Sequence, residues 1–255
     1  MSDERSPMVR LLWGPHPKSS RGPRPALSLD RIARAGAEIA DAEGLAAVSM
    51  QRVAALLDVT KMALYRYVPG KAELVALMVE AAVDEAPPAS DPPHDWREGL
   101  GGWARRLVTV FHRHPWLLDA TVGPRVMGPR ELAWMEQALT ALEGTVLSGA
   151  ERMDAVVLVS GHVRGIAHQA RAAGPAGHPE AQLSDTLGEL MRAHGERYPA
   201  LTAALAEAAV EGGRDQALEF GLDRILDGLG LLIAQRSAAV PGRAGRDRAG
   251  GPRNG

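Results

Sequence analysis

The sequence predicts an all-α protein: a short N-terminal helical head followed by a larger helical body. Three observations carry this. Aromatic residues are 4% of the chain and no stretch keeps a period-two alternation, so strand signals are nearly absent. Apolar residues instead recur at i, i+3, i+4 and i+7 in segment after segment. Between residues 86 and 95 lie four prolines, the clearest boundary in the chain.

In order, residues 1–26 are rich in Pro, Gly, Ser and Arg and read as a flexible basic arm. Residues 27–71 hold three short helices. Ser28 caps the first, with Leu29, Ile32, Gly36 and Ile39 inward and Gly44 as its stop. Ser49 caps the second, carrying Val53, Ala54 and Leu57. Thr60 caps the third, which runs through Val68 to the break at Pro69-Gly70. A connecting helix over 72–86 shows Leu74, Leu77, Met78, Ala81 and Ala82 on the helical template. A Pro-rich linker occupies 87–95.

The body spans 96–236. One helix carries Trp96, Leu100, Trp103, Leu107 and Val110 and stops at Pro115; another carries Leu132, Met135, Leu139, Leu142 and Val146. A third runs from about 150 to 173, ended by Gly174-Pro175. After a weaker helical region, a last helix over about 215–236 carries Leu218, Leu222, Ile225, Leu229, Leu232 and Ile233. Residues 237–255, rich in Arg, Gly and Ala, read as a disordered tail.

Charge is asymmetric although the net value is −2. Residues 1–71 hold 11 Lys/Arg against 7 Asp/Glu, and the remainder 18 against 24. A basic head on an acidic body is expected where only the head meets phosphate. With no cysteine, disulfides, thiolate metal sites and a cysteine nucleophile are excluded. The apolar stretch Met8–Trp13 is too short for a signal-peptide core, and no segment reaches the roughly 20 apolar residues that span a bilayer. The expected setting is the cytoplasm, with no membrane partner.

Residues 53–68 fit a helix-turn-helix with Leu57, Val59, Leu64 and Val68 as its small core. At about 100° per residue, Met62, Ala63 and Arg66 lie opposite Leu64 and Val68, with Tyr65 and Tyr67 flanking that arc. Such a helix presents its central side chains to base edges and its lateral hydroxyls to phosphates. The chain has three lysines and three tyrosines, and Lys61, Tyr65, Tyr67 and Lys71 fall within eleven residues.

The run Val59-Thr60-Lys61-Met62-Ala63-Leu64-Tyr65-Arg66-Tyr67-Val68, then Pro69-Gly70-Lys71 and Glu73-Leu74, resembles the recognition-helix motif of the TetR (tetracycline-repressor) family. The stretches Ala37–Leu45 and Ser49–Leu57 are similar to that family's first two helices. The C-terminal half resembles a tetracycline-repressor-like regulatory domain by helix pattern only. The resemblance implies a homodimer that binds a palindromic double-stranded operator and is released by a small-molecule effector. It implies phosphate contacts at Tyr65, Tyr67 and Lys71, and base reading at Gln51, Lys61 and Met62. Two positions depart from the pattern: Asp58 stands at a turn usually held by glycine, and Met50 where a phosphate-binding hydroxyl is frequent, so that either Ser49 takes that contact or it is absent. Arg21 and Arg24, in the arm, are expected to follow the DNA, as short basic arms do in minor grooves.

In the body, Trp103, Phe111, Trp134 and Met135 are expected to wall an apolar effector pocket, with His112, Arg164 and His168 as polar anchors. Arg164, His168 and Arg171 share a face that suits an anionic ligand, a dimer seam or plain solvation equally. Ala217, Gly221, Ile225, Gly228 and Leu232 are expected at the dimer interface, because small residues let two helices approach closely. Neither a catalytic set nor metal-ligand spacing stands out, and no cofactor is implied: His112 and His114 are two apart on a helix and face different ways. Two readings stay open: a ligand-gated repressor, and a constitutive DNA-binding dimer. A helical enzyme with a DNA-binding head is a third.

Overall fold

A computed structural model describes residues 7–14, 27–84, 95–174, 179–211 and 216–239, and among them every regular element is helical. The head comprises α2 (Leu29–Glu43), α3 (Met50–Leu56) and α4 (Lys61–Tyr65), entered by α1 (Pro7–Trp13) and followed by α5 (Lys71–Asp84). The body comprises α6 (Trp96–Arg113), the single turn α7 (Leu117–Ala120), α8 (Pro129–Ala141), α9 (Gly149–Ala173), α10 (Pro179–His194), α11 (Pro199–Glu211) and α12 (Ala217–Ala239).

The three head helices start where their caps stand. Ser28 Oγ accepts from the Arg31 amide, Ser49 Oγ from Arg52 and Thr60 Oγ1 from Ala63, each satisfying an otherwise orphaned donor. Asp58, in the turn between α3 and α4, has φ +53°, a left-handed conformation that a short polar side chain tolerates. Ile32, Val53, Leu64 and Val68 are fully buried where the helices meet. α2 lies directly on α5, because a Cβ at Gly36 would stand 2.7 Å from Met78 Sδ.

In the body, α6 packs between α8 and α9, and α12 covers α9 and α6. Leu100, Ala104, Val159, Val163, Leu222 and Leu226 form the shared core. An exposed Arg105–Glu219 fork ties α6 to α12 at 2.6–3.2 Å. Among the described side chains of α10 and α11 none is buried, and Leu183, Leu190 and Val210 are exposed.

Three boundaries differ from expectation. The first 26 residues are not a uniform arm: α1 buries Leu12 against the rest of the chain, packs on α5, and Trp13 Nε1 donates to the Met127 carbonyl at 3.0 Å. Its stripe of Met8, Leu11 and Leu12 has an apolar surface to cover, which a local reading of the arm lacks. The helix carrying Leu132 ends at Ala141, so Val146 falls in the following turn, where Gly144 has φ +76°. The last helix continues three residues past 236 to Ala239, with Ser237 Oγ bonded to the Ile233 carbonyl one turn back. Arg21, Arg24 and the linker residues 87–94 lie outside the described residues.

Candidate nucleic-acid interface and its link to the body

α4 is anchored by Leu64 and, just beyond it, Val68, both fully buried. That orientation leaves Met62 73% exposed and Lys61, Tyr65, Arg66 and Tyr67 exposed, with Ala63 half-buried. The helix is shorter than expected: Arg66 caps it and Tyr67 belongs to the turn into α5. Lys61 Nζ lies 5.6 Å from the Tyr65 ring centroid, a cation–π contact that holds both near one end of α4. Lys71 is exposed at the start of α5, and Gln51 in the first turn of α3.

Met50 is buried, so its departure from a hydroxyl is a packing choice. Ser49 is the cap of α3; its oxygen accepts from the Arg52 amide, which leaves its O–H proton uncommitted by that bond. Arg52 carried no sequence signal. It reaches back to Glu43 at the end of α2, with 2.8 Å between Nη1 and Oε2, and this bond holds the Glu43 carboxyl below the usual carboxylate range. Arg52 therefore braces α3 against α2.

The far end of α5 is docked onto α8. Glu80, 7% exposed, accepts from the Arg130 amide at 2.9 Å and the Glu131 amide at 3.0 Å, so its carboxylate caps the N-terminus of α8. Gly128 makes room: a Cβ there would stand 2.2 Å from Glu80 Cδ. One turn on, Trp134 Nε1 donates to the Val83 carbonyl at 3.0 Å, and Trp103 Nε1 of α6 donates to the Trp134 carbonyl at 2.9 Å. Arg130 also pairs with Asp84 at 3.3 Å. The helix that begins at Lys71 in the head thus ends as part of the body. Glu80 escaped sequence reasoning because a lone carboxylate on an apolar helix reads as solvent-facing.

The residues expected to wall a pocket are partly committed elsewhere. Trp103 and Trp134 pack with centroids 6.3 Å apart, and both ring N–H groups are taken by backbone carbonyls. Phe111 is buried and Met135 half-buried. Of the expected anchors, His112 and His168 are exposed, at the end of α6 and on the outer face of α9. Arg164 alone of the three is half-buried, bonded to Thr121 Oγ1 and the Leu118 carbonyl at 2.7 and 2.8 Å.

The expected dimer residues divide as well. Gly221 meets its own chain: a Cβ there would stand 2.3 Å from the His162 ring, whose Nε2 lies 2.9 Å from the Leu218 carbonyl. Its smallness therefore serves α9–α12 packing within one protomer. Ala217, Ile225 and Leu232 are half-buried, the last two against the core. Gly228 is exposed with open space around its Cβ position, and Phe220 and Leu231 are exposed on the same helix. On α9, Val157 and Leu158 are exposed, and Gly161 and Gly165 are likewise open.

Among the described residues no cluster of His, Asp or Glu suits a metal, and no helix is long and apolar enough to cross a membrane.

Residues 26–78 match the family model for bacterial regulatory proteins of the tetR family, and residues 88–233 the tetracyclin repressor-like C-terminal domain. The chain is 40% identical over 240 residues to the HTH-type transcriptional repressor DrrR1 of Streptomyces coeruleorubidus, covering 89% of this chain and 86% of that protein. Among solved structures, the Streptomyces coelicolor TetR family protein ActR in complex with actinorhodin matches at TM-score 0.69 and 25% identity, over 82% of this chain and 98% of that one. Apo ActR matches in fold at TM-score 0.69 over 86% of this chain and 100% of that one. These relatives are regulators and not enzymes. The chain belongs to the TetR family of DNA-binding transcriptional regulators.

Proposed function

We propose that the protein is a repressor that binds a palindromic operator as a homodimer and leaves it when a small-molecule effector occupies the body. The observation that carries this reading is α5. It begins at the exposed Lys71 and is clamped at its other end to α8 by Glu80 and Val83. A displacement of α8 therefore swings the head. Two heads must fit major grooves about 34 Å apart, so a modest swing breaks the match.

In this reading Gln51, Lys61 and Met62 face base edges, and Tyr65, Tyr67, Lys71 and Ser49 face phosphates, with Ala63 and Arg66 between them. Arg21 and Arg24 follow the duplex. Gly228, Leu231 and Phe220 of α12, with Val157, Leu158 and Gly161 of α9, supply the seam with a second copy. The binding of actinorhodin by ActR supports a small-molecule effector here. Of the residues expected to line an effector site, Arg164 lies over the Phe111 ring, Met135 is half-buried, and Trp103 packs on Trp134.

Release requires an effector that prefers the conformation unfit for DNA; affinity alone shifts nothing. A thermal-shift screen of small molecules, with operator release as second readout, tests this. A compound that stabilises the protein and lowers its operator affinity supports the gated repressor. The second reading, a constitutive DNA-binding dimer, draws on the interlocked Trp103–Trp134 pair, and predicts that stabilising compounds leave operator affinity unchanged.

A further inference from the structure

α7 is a single turn held from outside at both ends. Before it, Trp116 Nε1 and the His114 ring nitrogen Nδ1 both lie within hydrogen-bond reach of Asp41 Oδ1 in α2, at 2.7 and 2.8 Å. Behind it, Arg164 of α9 donates to the Leu118 carbonyl and to Thr121 Oγ1. Arg171, two turns on, bonds Asp119 Oδ2 at 2.6 Å and the Pro115 carbonyl at 3.4 Å. α7 also packs on α5. The short helix therefore joins two arginines of the body to a carboxylate of the DNA-binding head.

The two arginines differ. Arg171, like Arg125 with Glu131 and Arg105 with Glu219, has a carboxylate partner. Among the described residues, Arg164 has none within salt-bridge reach, and both its acceptors are neutral oxygens. Arg106, also half-buried, bonds the Gln137 amide oxygen at 3.3 Å, and Arg152, half-buried in the first turn of α9, has a buried Nε with no hydrogen-bond partner among the described residues. Arg164 adds an aromatic surface, its guanidinium carbon lying 5.3 Å from the Phe111 centroid. Burial, then the nearby Arg125 cation, pulls its pKa below the ordinary arginine value, against the opposing pull of Asp119. A half-buried cation with neutral partners and a second cation beside it is costly, and an incoming anion relieves that cost. Two of its five N–H groups are committed, which leaves donors for a planar oxyanion.

We propose that Arg164 anchors a site between α6, α7 and α9 for an organic anion, a carboxylate or sulfonate on a flat apolar ring system, and that the anion acts by drawing Arg164 away from α7. The ring system rests beside Phe111. Freed of Arg164, the Leu118 carbonyl and the Thr121 hydroxyl no longer fix α7, and its grip on Asp41 loosens. This assignment rests on the effector-released reading and names the chemistry of the effector.

The test uses the full chain and two fluorescent probes: anilinonaphthalene sulfonate, and phenylnaphthylamine, the same rings without the sulfonate. The sulfonate is expected to bind at one saturable site per chain and to weaken operator binding. Arg164→Gln should lower its affinity about 10- to 100-fold, the range of one lost charge-assisted contact, while the neutral probe binds as before. Arg171→Gln should leave both probes unchanged. Sodium sulfate should fail to displace the bound sulfonate at equal concentration; displacement by sulfate alone would mark a bare-oxyanion site and overturn the organic-anion assignment. Equal loss of both probes in Arg164→Gln, or loss of neither, overturns the anchor. Should that variant not fold, the wild-type comparison decides: the sulfonate must bind at least about tenfold tighter than the neutral probe. Failure of both probes to bind also overturns this proposal. The compound screen for operator release does not depend on Arg164, so the effector-released reading is judged separately.

Discussion

Replacing Gly128 by alanine should undo the joint between α5 and α8. The added methyl would stand 2.2 Å from Glu80 Cδ and 2.4 Å from Oε1, so the carboxylate must leave the first turn of α8. Two amides, those of Arg130 and Glu131, then lose a charged acceptor. Hydrogen bonds to charged groups contribute about 1.5–3 kcal/mol each. Glu80 is buried, but Arg130 is exposed and Glu131 half-buried, so water recovers part of this at the freed amides, and the expected destabilisation is about 2–4 kcal/mol, read by denaturant unfolding. Glu80→Ala removes the same two bonds and should cost a similar amount. In the double variant the methyl no longer meets Glu80, so Gly128→Ala should add little to Glu80→Ala. The resulting coupling energy should be about 2 kcal/mol or more. Additivity within about 0.5 kcal/mol would refute the joint.

Other variants follow from the same geometry. Lys71→Ala should weaken DNA binding alike on all sequences and flatten its salt dependence, whereas Gln51→Ala should change sequence preference by about 1–3 kcal/mol at one base pair, read by anisotropy on operator variants. Like shifts in specificity from both would reverse the groove assignment. Gly228→Leu meets open space within the protomer and should yield a folded monomer by light scattering, while Gly221→Ala should lower stability through His162 with assembly unchanged; a dimeric Gly228→Leu places the seam elsewhere. Arg105 holds the Glu219 carboxyl below its usual range, so that pair's stabilisation is present above about pH 4.5 and is lost as pH falls through the lowered value. Both side chains are about half exposed, so Glu219→Gln should cost no more than about 1 kcal/mol at neutral pH and flatten the acid limb of the stability profile.

What the sequence discloses here is local. Ser28, Ser49 and Thr60 cap the helices they precede, and Asp58 takes the left-handed turn, because each effect is decided within a few residues. The exposed face of α4 follows from helical periodicity around Leu64. What escaped it depends on partners far along the chain. α1 is a helix because α5 covers it, Glu80 is buried because the Arg130 amide of α8, 50 residues later, binds it, and Gly221 is small because His162 stands over it. The exposure of His112 and His168 was not legible for the same reason: a residue type on a helix face does not say whether a neighbour encloses it.

The central claim, that an effector changes the separation of two DNA-reading heads, is open to direct measurement because the chain contains no cysteine. Ala42→Cys, at the exposed C-terminal end of α2, takes one spin label per protomer. Pulsed dipolar spectroscopy of the labelled dimer on operator DNA should give one narrow distance distribution. A compound that releases the operator should move that distribution by several ångströms or broaden it, in the absence of DNA. An identical distribution with and without such a compound would contradict the account, as would the absence of any dipolar signal from a second copy.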